Sequence, residues 1–174
     1  AIKEIQPIKE ELERKFTKYI FGEDNDTLSS VIISLLKCRD ESIVCAESCT
    51  GGLLSSSITS KSGASEVFKG GIIAYSNELK QNLLGVPKHF LDTHGAVSEE
   101  VAEKMAIGVK EKLKADWAIA ISGIAGPKGG TEIKPVGLVH ISIISPNNKL
   151  TNIKKLFNSR RNRCEIQKLS VNEC

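Results

Sequence analysis

Three short stretches combine residue types that could do chemistry, and each follows a run that reads as a strand. In Glu47–Gly52 (ESCTGG), Ser48 stands just past such a run, with Thr50, Gly51 and Gly52 leading into a helix. The free N–H groups of a helix start can face an oxyanion or a phosphate, so a serine there is placed for attack. The same spacing equally fits a plain helix cap on a tight glycine turn. Cys49 is a rival nucleophile, but no histidine lies near it in sequence to form a thiolate pair. In Tyr75–Lys80 (YSNELK), Lys80 falls about one turn into a helix, where the positive end of the dipole favours the neutral amine that a general base requires. A solvated lysine after a core tyrosine fits this segment as well.

The third stretch, Gly123–Pro135 (GIAGPKGGTEIKP), is rich in glycine, with Lys128 and Lys134 adding positive charge. Unobstructed backbone N–H groups beside cations are what a phosphate site needs, although GK[ST] of a Walker loop is missing. Tyr75 and Lys80 are five apart, not four as in short-chain dehydrogenases. Ser34–Lys37 matches the SxxK of penicillin-recognising enzymes but lies mid-helix, without SDN or KTG.

These stretches need a scaffold. Ile5, Ile8, Leu12, Phe16 and Tyr19 recur at helical spacing and predict an amphipathic accessory helix that packs on the domain, ending at the polar break Gly22–Asp26. Residues 1–26 are thus helix and linker, and residues 27–174 one domain. A helix is predicted over Leu28–Cys38, a strand at Ser42–Ala46, a helix over Gly52–Thr59, a strand at Phe68–Tyr75 and a helix from a cap at Asn77 to Leu84. Ser98 caps a helix running to Leu113, followed by strands at Trp117–Ser122, Val136–Ile144 and Thr151–Phe157, the last two as a hairpin. Strands alternating with helices, then one antiparallel pair, predict a three-layer α/β/α sandwich with a mixed, mostly parallel sheet of about five strands. Ligand sites in such sheets gather at the carboxyl ends of strands, where all three stretches fall.

Composition narrows the function. Among 174 residues, Lys and Arg number 24 against 21 Asp and Glu, without a basic tract, which argues against nucleic acid. No apolar run approaches the roughly 20 residues needed to span a bilayer, and the first residues alternate charge, so the expectation is a cytoplasmic protein without a membrane partner. Five scattered cysteines without a CxxC pair suit reduced thiols, and neither they nor the three histidines have metal-ligand spacing. No metal and no cofactor are expected.

Ala46–Gly52 (AESCTGG), Tyr75–Lys80 (YSNELK), His94–Glu99 (HGAVSE), Ser122–Pro127 (SGIAGP) and Lys134–Gly137 (KPVG) together resemble the CinA carboxy-terminal domain family in order and spacing, over about Leu28–Phe157. Standalone members are nicotinamide-nucleotide amidases, which convert nicotinamide mononucleotide and water to nicotinic acid mononucleotide and ammonia. The resemblance implies Ser48 as nucleophile, Lys80 as its general base and Tyr75 as a hydroxyl partner that relays a proton or orients the lysine. It also implies the same sandwich fold and homodimerisation. The chain is short of the amino-terminal domain of larger family members, which favours the standalone amidase. Family members often carry Phe-x-Gly-Asp-Arg after the last strand. Phe157–Arg161 (FNSRR) lines up with it, Arg161 taking the arginine position, while Ser159 and Arg160 replace the Gly and Asp.

The mechanism expected is acyl transfer to Ser48 with Lys80 shuttling the proton and backbone N–H groups of Cys49–Gly52 holding the oxyanion. Thr50, Gly51, Gly52, Gly123, Ala125, Gly126 and Arg161 are the expected substrate-binding residues, the phosphate lying on the Gly123–Gly130 loop or against Arg161. The alternatives are a non-catalytic nucleotide-binding or regulatory module, and a Ser/Lys amidase for another substrate.

Overall fold

The computed structural model describes residues 2–174, with side chains from residue 5 onward. Its centre is β1 (Ile43–Glu47), buried along its whole length. Because side chains alternate along a strand, Ile43 and Cys45 face one layer while Val44 and Ala46 face the other. The first layer holds α2 (Leu28–Arg39), α3 (Leu53–Thr59) and α7 (Arg163–Asn172), contributing Ile33, Leu36, Leu54, Ile58 and Ile166. The second holds α4 (Asn77–Leu84), α5 (Lys88–His94) and α6 (Glu99–Leu113), contributing Leu84, Leu91, Val101, Met105 and Val109.

Around β1 the sheet runs β2 (Phe68–Ile73), β1, β3 (Trp117–Gly123), β4 (Leu138–Ile144) and β5 (Leu150–Leu156). β1 pairs in parallel with β2 and β3, whereas β3–β4 and β4–β5 are antiparallel. This is the expected mixed five-stranded α/β/α sandwich. Its antiparallel part extends one pairing further than the terminal hairpin, because the Gly123–Pro135 loop returns the chain directly beside β3 without a crossover helix.

From β1 the chain leaves through α3 to β2 on one side, then crosses by α4, α5 and α6 to β3 on the other. The carboxyl end of β1 is therefore the point at which the connections diverge, the position where open α/β sheets form a crevice. Small residues bring the layers close. Ala46, Ala118 and Ala120 lie under α6, and at Gly108 a methyl group would stand 1.8 Å from the Leu84 carbonyl oxygen.

Several element ends differ from expectation for local reasons. Ser76, not Asn77, caps α4, its hydroxyl accepting from Leu79 N–H. α5 and α7 were not predicted at all. α1 (Ile2–Phe16) forms, but Ile5, Ile8, Leu12 and Phe16 stay exposed, so the expected packing of this helix on the domain is not found. Among the described residues no helix is long and apolar enough to cross a membrane.

Candidate active site

The carboxyl ends of the three parallel strands converge on one cleft of about 260 Å³. Ser48 and Cys49 enter it after β1, Tyr75 and Lys80 after β2, and Gly123, Ala125, Gly126 and Lys128 after β3.

Ser48 is nearly buried, at 8% exposure, and its N–H donates to the Ile121 carbonyl at 3.0 Å, which ties the turn to β3. Gly51 and Gly52 follow with φ of 61° and 101°, left-handed backbone that lets the chain reverse into α3 through the five residues 48–52. Glu47, at 0% exposure, fills the helix start. Its carboxylate accepts from the N–H groups of Gly52 (3.0 Å), Leu54 (3.1 Å) and Ser55 (2.8 Å), and from the Ser55 hydroxyl (2.6 Å).

The start of α3 is therefore occupied by the chain's own anion, which corrects the expectation that it faces an oxyanion or phosphate from substrate. Gly51 N–H is also taken, by the Ser48 carbonyl at 3.2 Å. Neither glycine lines the cleft, nor does Thr50, whose buried hydroxyl has no hydrogen-bond partner. Among the described residues, the N–H groups of Cys49 and Thr50 are left without an acceptor, and of the two only Cys49 lines the cleft, where its N–H can meet an oxyanion.

Glu47 is thus a positioning residue for the serine turn, and Glu47→Gln tests it. The amide keeps the volume but turns an NH₂ onto N–H donors, leaving one or two buried donors unmet at about 1–3 kcal/mol each. Thermal unfolding should show a Tm lower by roughly 2–24 °C, at about 2–4 °C per kcal/mol for a domain of this size. An unchanged Tm would mean that solvent satisfies those donors.

Lys80 is the largest fully buried side chain, at 1% exposure. Its Nζ lies 3.1 Å from Ser48 Oγ, 2.9 Å from the Ala74 carbonyl and 3.4 Å from the Tyr75 carbonyl. Lys80 Nζ donates to all three oxygens; on loss of its proton, two N–H groups can keep the two carbonyls while the lone pair turns to the Ser48 hydroxyl. Burial lowers the Lys80 pKa from its ordinary value, with Cys49 opposing. That opposition requires a thiolate, and burial pushes the Cys49 thiol up to about 12. A thiol held protonated by burial is a poorer nucleophile than a thiolate, which weighs against Cys49 as rival to Ser48.

Tyr75 is 60% exposed at the cleft mouth. Its hydroxyl accepts from Arg163 Nη2 at 2.9 Å, and Arg163 Nη1 donates to the Gly126 carbonyl at 3.0 Å. Only the backbone carbonyl of Tyr75 touches Lys80, so any orienting role toward the lysine runs through the main chain. Arg161 lies outside the cleft, in an adjacent hollow beside Pro127, Val136 and Ser159. Arg163 is the arginine that enters, from the first turn of α7.

Lys134 also stands elsewhere than expected. Its ammonium donates to the carbonyls of His94 and Val97, pinning the segment that supplies Ala96 and Val97 to the cleft wall. Ser122 holds the same segment, its hydroxyl donating to the Ala96 carbonyl at 2.6 Å. The HGAVSE motif thus builds a wall.

Besides Lys80, the cleft is lined by two basic side chains, Lys128 and Arg163, and by no acid, which suits a ligand carrying an anion beside a group that a serine can attack.

Comparison with known proteins agrees with this architecture. The CinA C-terminal domain family matches residues 25–174. A CinA-like protein of Prochlorococcus marinus strain AS9601 is 68% identical over 170 residues, covering 98% of this chain and 40% of that protein. Another, from strain NATL2A, is 51% identical over 96% of this chain and 39% of its own length. The chain thus spans about two-fifths of the curated relatives it matches. Among solved structures, competence/damage inducible protein CihA of Agrobacterium tumefaciens superposes with a TM-score of 0.83 at 36% identity, covering 88% of this chain and 93% of that one. The competence damage-inducible protein A of Klebsiella pneumoniae gives 0.80 at 29% identity, over 84% and 89%. With its five motifs, its sheet order and its cleft all in register with one another, the chain belongs to the CinA C-terminal domain family.

Proposed function

We propose that this chain is a Ser/Lys amidohydrolase that converts nicotinamide mononucleotide and water to nicotinic acid mononucleotide and ammonia. The observation that carries the reading is a buried lysine, with no acid beside it, 3.1 Å from a serine hydroxyl at the strand-end crevice. A lysine buried without an acidic partner is costly in a purely structural role and useful where a neutral amine must take a proton.

In the proposed reaction Ser48 Oγ bonds to the carboxamide carbon while its proton passes to Lys80 Nζ. The oxyanion meets the free N–H group of Cys49. As the C–N bond breaks, Lys80 returns that proton to the nitrogen and ammonia leaves. Water then attacks the acyl ester, Lys80 accepting its proton and handing it back to Ser48 Oγ. Tyr75 and Arg163 stand across the mouth, and the phosphate of the substrate meets the cationic rim.

Purified protein given nicotinamide mononucleotide should release ammonia and nicotinic acid mononucleotide in equal amounts. Binding without release would favour a nucleotide-binding module, and faster turnover of uncharged amides would favour an amidase for another substrate.

A further inference from the structure

The wall segment 94–97, between α5 and α6, has every one of its carbonyl groups tied back into the protein by a side chain. Lys134 Nζ donates to the His94 carbonyl and, at 2.7 Å, to that of Val97. Ser98 Oγ donates to the Gly95 carbonyl at 3.1 Å, and Ser122 Oγ to that of Ala96 at 2.6 Å. The N–H groups of the segment are in a different condition. That of Gly95 is spent on the Leu91 carbonyl at 3.0 Å, but those of Ala96 and Val97, two residues that line the cleft, have no acceptor among the described residues. Backbone donors need partners, and with the carbonyls of their own segment taken these two are left for a ligand. Neighbouring donors fixed before the ligand arrives are what a developing oxyanion requires.

The end of β3 ties this wall to the nucleophile. The Ile121 carbonyl accepts from Ser48 N–H, and the next residue, Ser122, holds Ala96. Lys134 reaches the wall from the far end of the Gly123–Pro135 loop, through a turn closed by Thr131. The Thr131 N–H donates to the Lys134 carbonyl at 2.8 Å, and its hydroxyl accepts from Lys134 N–H at 3.0 Å. Gly95, with φ of 69°, leaves the ammonium its place, since a methyl group there would stand 3.2 Å from Nζ.

From these observations we infer that the N–H groups of Ala96 and Val97 complete the oxyanion hole begun by Cys49, and that Lys134 and Ser122 are the positioning residues that hold them there. The inference rests on the amidase reading. When Ser48 Oγ bonds to the carboxamide carbon, the electron pair of the C=O π bond moves onto oxygen, and that oxygen takes its hydrogen bonds from the wall and from Cys49. Lys134 touches no reacting atom and acts only through the carbonyls it holds.

Pyridine-3-boronic acid tests the donors without turnover. Ser48 Oγ bonds to boron, its proton passes to Lys80 Nζ, and boron becomes a tetrahedral anion from which nothing leaves, so one of its oxygens stands in for the oxyanion. In proton–nitrogen correlation spectra of wild type, the amide protons of Ala96, Val97 and Cys49 should move downfield on titration. In Ser48→Ala, which cannot form the adduct, they should stay in place. An adduct that leaves Ala96 and Val97 unmoved overturns the inference while the amidase reading stands. Should wild type form no adduct, the acyl-serine reading falls and the inference with it.

The positioning role is read from ammonia release. Lys134→Met should lower kcat on nicotinamide mononucleotide by about 10- to 100-fold, the cost of displacing such donors by about 1 Å, with KM little changed. The limb of the pH–rate profile set by Lys80 should stay where it is, because the base is untouched. Lys134→Arg, which keeps a charged donor, should recover part of the rate. A purely structural role would lower the Tm of Lys134→Met and leave the kcat of the folded protein alone, so a near-parental kcat in that variant overturns the assignment of Lys134.

Discussion

Ser48→Ala should fold like the parent protein and lose at least about 10³-fold of turnover on nicotinamide mononucleotide, with ligand binding largely kept. The methyl group fills the same turn, the Ser48 N–H still donates to Ile121, and Glu47 still closes α3, so of the hydrogen bonds that build the site only that from Lys80 Nζ to Ser48 Oγ is removed. What disappears is the oxygen that forms the acyl bond. Cys49→Ala is the matched control. Its thiol is buried and held protonated by a pKa pushed up to about 12, so its removal should cost about 1–2 kcal/mol of stability through lost packing and little of the rate. Ammonia release and thermal unfolding on the two proteins give a crossed result: one inactive and stable, the other active and less stable. If Ser48→Ala keeps near-full activity, or if Cys49→Ala is the inactive one, the acyl-serine mechanism is wrong.

How far the sequence carried this site can be followed residue by residue. Ser48, Lys80 and Tyr75 were legible because each follows an apolar run, and a parallel sheet gathers such positions at one edge whatever the details of packing. Glu47 was not, although it stands next to Ser48. A buried glutamate is rare enough that composition assigns it to the surface, and only the path of α3 back over β1 shows four donors closing on one carboxylate. Arg163 was missed because α7 was missed. The cap that starts it, Asn162 with Glu165 three residues later, is a readable signal, and a helix drawn from there would have placed Arg163 in its first turn, facing the strand ends. Alignment to the family motif drew attention to Arg161 instead, and Ser159 and Arg160, which replace the usual Gly and Asp, sit in the segment where register and geometry part. The antiparallel β3–β4 pairing was hidden for another reason: a loop of glycines and prolines says that the chain turns, not which neighbour it returns to.

Lys80→Arg should also be strongly impaired, and its pH profile should say why. Wild-type kcat/KM should rise with pH through a lysine pKa below the ordinary value of 10.5, lowered by burial, because only the neutral amine can take the Ser48 proton. A guanidinium stays protonated throughout, so the variant keeps the positive charge, loses the base, and should show no such limb, with a rate lower by about 10²–10⁴-fold. Lys80→Met adds a thermodynamic reading of the same group. A lysine whose folded pKa lies below its unfolded one binds its proton more readily in the unfolded chain, so between those two values stability rises with pH and falls as pH falls. Methionine carries no proton. Its stability relative to wild type should therefore become steadily more favourable as pH is lowered from about 10.5, even though the Ala74 carbonyl loses a donor. Denaturant unfolding of the two proteins at several pH values measures this slope, and pH–rate profiles measure the limb. Equal activity of Lys80→Arg and wild type would place the base elsewhere, and a stability difference between Lys80→Met and wild type that does not vary with pH would mean that burial does not perturb Lys80.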